Sequence, residues 1–435
     1  MKDHLKGRRL LLAAAALLWA APLRAQIENT LPDMELVPSR EMPPREEIPG
    51  FLRWMLHPLR RGMMLNIPMV DTDPNRGVEY GVMPVWVIPE ENGDRIQQIH
   101  APSLTYNQDF GVSPCYRYYL YPEEDSSLLA DASVNKYEHE IFAQFDDKTF
   151  LGSHVDGSLR GQWTREASQR FYGFGPNSQR GHQTNYTEDY IQYRVTFGLP
   201  VMAGSRWRIH ASDMLTGDKV GNGPLPGLPS FSSEFPRSSA AATNRQTIHA
   251  DRFILDYDSR DSIITTSQGG FLQTFAEYAA KNFGSEVDYS RYGLDGRFFR
   301  PCNEEHTIVT AAQVKFEQLV GNAPFWLQPR MGGKESLRAY GSGRYTDRGL
   351  LVANIEQRFT VYKEKMAGIS TEFEVDPFAG IGTVFLGPER MARRYARPVV
   401  GIATRAVARP QVVGSVDVGV GQEGVAVFMD INYSF

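Results

Sequence analysis

Acids spaced two residues apart are the densest chemistry-bearing pattern in this chain. Glu372, Glu374 and Asp376 alternate, and so do Asn354, Glu356 and Arg358 shortly before them. In an extended strand, residues two apart share a face, so each trio presents its polar groups on one side. A guanidinium in a narrow, partly desolvated space needs such carboxylates, because its planar fork matches them bidentately. Other constellations carry less. His210, Ser212 and Asp213 have the residue types of a hydrolytic trio. Neighbours along one strand alternate faces, however, and do not converge as nucleophile and base must. His100, His139, His154, His182 and His249 fall on different segments without ligand spacing, so no metal is expected. Gly173-Phe174-Gly175 has no following helix and is no phosphate loop. The chain therefore reads as a non-enzyme, with no catalytic residue and no cofactor. Cys115 and Cys302 are far apart in order around the expected fold and read as unpaired.

The elements that must position those acids are strands. The chain has 435 residues, 42% hydrophobic and 11% aromatic, with 22% charged, which argues against wholesale disorder. Its net charge of −5 excludes a strongly basic nucleic-acid binder. No apolar run of helical membrane-spanning length occurs. Residues 1–25 read as a signal peptide: Lys2, Lys6, Arg8 and Arg9 precede the apolar run Leu10–Ala21, and Ala25 precedes the expected cleavage site. Removing them leaves 41 basic against 50 acidic groups, a net of −9. Residues 26–76 carry eight prolines and read as an irregular periplasmic lead, with Phe51–Leu56 as one short helical turn. Gly221–Ala242, rich in Gly, Pro and Ser, reads as a flexible external loop.

After residue 76, period-two alternation dominates. Val425, Val427, Met429, Ile431, Tyr433 and Phe435 fall on one apolar face, and Ala426, Phe428, Asp430, Asn432 and Ser434 on the other. Sixteen strands are expected over residues 77–435. The first eight are 77–90, 95–109, 111–122, 128–143, 148–162, 185–199, 203–217 and 248–258. The others are 262–279, 284–299, 305–319, 348–361, 368–384, 397–408, 411–420 and 425–435. The long connections, 163–184, 218–247 and 320–347, are all odd-numbered, and the even-numbered ones are short. Long loops at one end and short turns at the other describe an antiparallel transmembrane β-barrel. A closed barrel also leaves no unpaired backbone in lipid.

Several segments resemble the bacterial surface antigen family, the BamA/TamA-like barrels of the Gram-negative outer membrane. Arg170-Phe171-Tyr172-Gly173-Phe174-Gly175-Pro176-Asn177-Ser178 with Asn185-Tyr186-Thr187 is similar to the family's "FYGxGN" segment. Leu255–Asp261 resembles its "YDxRD" turn, and Gly332–Tyr340 its "GG…LRGY" loop tip. Asn354–Arg358 matches "NxExR", and Phe378–Phe385 and the final Tyr-Ser-Phe fit as well. Two positions depart: Ala339 follows Arg338 where the family has glycine, and Gly380 stands where it has aspartate. The lead is also too short for a POTRA module, so the chain resembles a barrel-only member.

The resemblance implies that the loop around Arg338 folds back into the barrel and that its arginine pairs with acids on the inner wall. Glu356 is the expected partner, with Asp376, or Glu374, replacing the missing aspartate. The competing reading makes Arg338 one of many solvated loop arginines. The resemblance further implies insertion or translocation of protein or lipid through a weak seam between first and last strands. Gly414, Gly419 and Gly421 would loosen pairing beside that seam. Expected partners are outer-membrane lipids and unfolded outer-membrane clients or periplasmic accessory proteins, with no nucleic acid. The alternative is a passive pore or structural surface antigen.

Overall fold

The computed structural model describes residues 56–59, 61–91, 96–123, 125–150, 154–240, 244–366, 369–408, 412–431 and 433–435. The signal segment and Phe51–Met55 lie outside the described residues. The fold is an all-β antiparallel barrel of eighteen wall strands. They are β1 (Met63–Asp71), β2 (Glu79–Pro89), β3 (Ile96–Asn107), β4 (Gly111–Glu123), β5 (Ser126–Val134) and β6 (His139–Asp147). Then come β7 (Asp156–Glu166), β8 (Thr184–Pro200), β9 (Trp207–Asn222), β10 (Gln246–Asp258), β11 (Gly269–Ala279) and β12 (Asp288–Pro301). The last six are β13 (Ile308–Asn322), β14 (Gly349–Met366), β15 (Ile369–Phe385), β16 (Arg397–Ala408), β17 (Val412–Gly421) and β18 (Gly424–Ile431). Each strand pairs with the next in sequence.

The alternation has the meaning expected of it. Along β8, Glu188, Tyr190, Gln192 and Arg194 are buried toward the lumen, while Phe197 and Leu199 are exposed on the outer wall. Phe253, Ile355, Val400 and Val425 continue that exposed apolar surface on other strands. A wall that is apolar outside and charged inside suits lipid on one side and water or polar loops on the other.

Two additions raise the strand number from sixteen to eighteen. Met63–Asp71, placed by sequence in the proline-rich lead, pairs with β2 throughout, so the wall begins before residue 77. Its Pro68 is tolerated because β1 is fully paired on one side only, and edge strands are where sheets accept proline. Leu56–Pro58 forms a short strand that folds back on β1. The expected strand 128–143 is two strands joined at Asn135–Glu138. There the Asn135 side-chain oxygen accepts from the backbone N–H of Tyr137 at 3.0 Å and of Glu138 at 2.9 Å. A side chain that supplies the turn's own bonds competes with a straight strand. Asn135→Ala is expected to lower unfolding free energy by about 1 kcal/mol, read from denaturant unfolding in micelles by tryptophan fluorescence.

Because one strand is added before residue 77, connections 91–94, 110 and 123–127 lie at the end opposite to that expected. The split at Asn135 restores the parity beyond it. The long connections 167–183, 223–245 and 323–348 share one end, the outer one by the construction of such barrels. Phe171, Phe231 and Phe325, one from each, pack in a single buried cluster. The Gly/Pro/Ser-rich loop contains helical turns at Phe231–Glu234 and Pro236–Ala240. Phe231 is buried against Phe171, Tyr186 and Phe325, with ring centroids 4.9–6.0 Å away. Aromatic burial outweighs the flexibility that the loop's composition suggests.

Candidate functional site

The 323–348 connection turns back into the barrel as a tongue. A two-residue hairpin, Arg330–Met331 with Tyr345–Thr346, shapes its stem. Met331, Leu337 and Tyr340 are buried with Leu350, Val352, Phe378, Val384, Val399 and Ala403 of β14–β16. This apolar contact sets the tongue's depth and leaves its tip at Arg338.

Arg338 is buried, 1% exposed. Its Nη1 donates to Glu356 Oε2 at 2.8 Å, to Asp417 Oδ2 at 2.9 Å and to Ser434 Oγ at 3.3 Å. Its guanidinium carbon stands 3.6 Å from the centroid of the Phe378 ring, which fixes the plane of the group. Glu356 is the hub. Arg405 grips it with both terminal nitrogens, each at 2.9 Å, and Arg358 Nε donates to it at 2.9 Å. Arg405 also donates to Asp376, which accepts the Phe359 N–H at 3.0 Å. Ser415 donates to Asp417. Three guanidinium groups thus face three carboxylates, all of them buried inside the barrel.

The structure brings Arg338 and Glu356 together. It does not bring Arg338 to Asp376, whose partner is Arg405, nor to Glu374, which accepts from Tyr433 Oη at 2.8 Å. The second acceptor of Arg338 is Asp417 on β17. Sequence reasoning missed Asp417 and Arg405. Their signal was the same alternation: Ala403, Arg405 and Val407 are buried on β16, and Ser415, Asp417 and Gly419 lie on one face of β17.

The last residues were also misplaced. Strand β18 ends at Ile431, and Tyr433, Ser434 and Phe435 turn into the lumen. Tyr433 lies beneath the guanidinium groups of Arg358 and Arg405, 3.6 and 4.7 Å from its ring centroid. Ser434 Oγ donates to Asp417 at 2.9 Å, and Arg358 Nη2 donates to the Phe435 carbonyl at 3.3 Å. Phe435 packs with Phe299 of β12 and Ala311 of β13, the latter directly opposite Glu356 across the strand pair. Satisfying buried arginines outweighs the alternation that would have put Tyr433 and Phe435 in lipid.

Glycine makes the close approach possible. A Cβ on Gly419 would lie 1.7 Å from the Arg338 carbonyl oxygen, and one on Gly421 would lie 3.0 Å from Ala339 Cβ. Gly419 and Gly421 therefore admit the tongue, whereas Gly414 of the same strand does not face it. Gly380 serves the same end on β15, where a Cβ would meet Asn354 Oδ1 at 2.3 Å. Asn354 Nδ2 in turn donates to the Ser336 carbonyl at 3.0 Å.

The tongue also reaches both sides of the place where the wall closes. Thr72, directly after β1, makes the one backbone bridge to β18, with Val427, among the described residues. Two contacts reinforce it: Thr72 Oγ1 to the Val427 carbonyl at 2.9 Å, and the Val70 N–H to Met429 Sδ at 3.1 Å. On one flank, Asn75 Nδ2 donates to the tongue's Ser342 carbonyl at 2.7 Å. On the other, Arg344 Nε donates to both carboxylate oxygens of Glu423, in the β17–β18 turn, at 2.8 Å. Burial pushes the nearby Tyr345 phenol up to about 12, so it remains a neutral donor to Glu423.

The sequence profile of the Omp85 superfamily domain matches residues 125–406, well over half the chain. The chain belongs to the Omp85 superfamily. It is an outer-membrane β-barrel, with the fold expected from the surface-antigen motifs. The structure of BamA from Haemophilus ducreyi lacking POTRA domains 1-3 is similar to it, with a TM-score of 0.54 and 15% identity over 80% of this chain and 73% of that one. CdiB from Escherichia coli is similar with a TM-score of 0.52 and 9% identity, over 80% and 67% of the two chains. These likenesses concern the fold. No curated protein matches the chain in sequence. Within this Omp85 barrel, the tongue, the Arg338 cluster and the thin closure form one continuous contact system.

Proposed function

We propose that this Omp85 barrel inserts or translocates proteins, or lipids, at the outer membrane without enzymatic chemistry, by opening between β1 and β18. The observation that carries the reading is the closure of the wall by one bridge among the described residues, where every other neighbouring pair of strands shares a ladder of many residues. Paired strands resist separation in lipid because freed N–H and C=O groups find no partner there. A one-bridge closure removes most of that resistance. The tongue acts as a lock: Arg338 holds Glu356 and Asp417, and Asn75 and Glu423 tie its stem to the two flanks. Unfolded outer-membrane clients are the proposed cargo, delivered by periplasmic accessory proteins.

The test is a Thr72→Cys, Val427→Cys double variant with Cys115 and Cys302 changed to serine. Oxidation is expected to abolish acceleration of client-barrel folding in liposomes, and reduction to restore it. Equal acceleration in both states would sink the proposal. A second reading, a passive pore, is favoured by a polar cavity of about 720 Å³ lined in part by Glu140, Arg160, Gln192, Arg252, Glu277 and Arg291. Steady conductance in planar bilayers with no effect on client folding would support it.

A further inference from the structure

The outer wall carries a polar cluster that the tongue and seam do not use. Asp213 on β9 lies directly opposite Asp251 on β10, and His249 stands two residues along from Asp251. The residues flanking these three, Ser212, Met214, Ile248, Ala250 and Arg252, are buried toward the lumen. Asp213, His249 and Asp251 therefore point outward, among the exposed Ile209, Phe253, Tyr278 and Phe283. Ionisable groups on a lipid-facing wall are costly and call for a compensating partner. Like charges directly opposite across a strand pair add to that cost.

The histidine's hydrogen bonds define what the cluster lacks. His249 Nδ1 stands 2.5 Å from the Phe283 carbonyl oxygen, which only accepts, so Nδ1 carries the hydrogen. In the neutral ring, Nε2 is then a lone pair, and it points at Asp213 Oδ2, 2.6 Å away. At 2.6 Å the two atoms share a proton; a metal ion bound to both would replace that proton and hold them about 3 Å apart. A proton there leaves the trio with one net negative charge on an apolar wall. A divalent metal with a neutral imidazole leaves none, and it also relieves the Asp213–Asp251 opposition. A ring nitrogen oriented by a carbonyl on its other side is the usual second-shell arrangement of a metal-binding histidine. One ligand atom from each of the three residues lies within 4.8 Å of the others.

We propose that Asp213, His249 and Asp251 form a divalent transition-metal site on the outer wall, between the middle of β9 and the outer half of β10. One imidazole and two carboxylates are a ligand set that suits zinc, with water completing the coordination. Sequence spacing hid the site because its ligands come from two strands separated by the 223–245 connection.

The test uses the full chain in detergent without a polyhistidine tag. The protein is stripped with a chelator, exposed to zinc sulfate and desalted, and bound zinc is measured by atomic emission. About one zinc per chain is expected for the wild type. His249→Gln and Asp251→Asn are each expected to weaken binding by roughly 100-fold or more, since even outer-shell losses cost 10–100-fold. Both side chains face outward, and heat-modifiable migration checks that the variants fold. Asp251→Asn is the discriminating variant, because a simple His249–Asp213 ion pair does not need Asp251. No retained zinc in the wild type, or equal retention in Asp251→Asn, would overturn the proposal.

Discussion

Replacing Arg338 by alanine is expected to release the tongue tip and destabilise the barrel by about 3–5 kcal/mol, the cost of removing one partner from a buried ion pair. The alternative magnitude, below about 1 kcal/mol, belongs to solvated pairs. Burial decides between them: Arg338 and Glu356 are 1% exposed and Asp417 is fully buried. Removing the guanidinium leaves two arginines facing three carboxylates, and Asp417 loses its closest cation. Limited proteolysis within 323–348 and the temperature of heat-modifiable migration report the effect. Arg338→Lys should recover only part of the loss: one nitrogen, Nη1, makes all three bonds to Glu356, Asp417 and Ser434, but an ammonium lacks the planar group that stands 3.6 Å from the Phe378 ring centroid. Unchanged cleavage and unchanged migration would count against the lock.

Gly419→Ala is expected to do at least as much damage with a single added carbon. The new Cβ would fall 1.7 Å from the Arg338 carbonyl oxygen, which is backbone and has no rotamer to escape into. Overpacking commonly costs about 1–3 kcal/mol. Here the strain is relieved only by withdrawing the tongue, so the loss of the ion pairs is added to it. Gly414→Ala in the same strand is the control: its Cβ would meet nothing closer than the Ala406 carbonyl at 3.9 Å. Protease-sensitive tongue in Gly419→Ala and intact tongue in Gly414→Ala is the expected pattern. Equal behaviour of the two would mean that β17 glycines matter for strand pairing and not for docking.

Alternation along single segments made most of the wall legible, and the pairing of Glu356 with Arg338 followed once the family motif placed the loop. The errors have a common origin. Asn135 broke one expected strand because its side chain bonds its own turn, a contest between local geometries that apolar periodicity does not register. Met63–Asp71 was hidden by Pro68 and the prolines of the lead before it, and an almost unpaired edge forgives Pro68. Tyr433 and Phe435 follow the outward phase of β18, yet buried arginines draw them inward.

Residue order alone determined that this chain is a barrel with its long loops at one end, because strand phase and loop length are properties of neighbouring residues. Only the tertiary structure decided that Arg338 takes Asp417 and not Asp376, that glycines in β15 and β17 are clearances for a tongue, and that Asp213 meets His249 on the outer wall. Those outcomes depend on which strands closure brings together and how deep the tongue seats, and no local pattern encodes either.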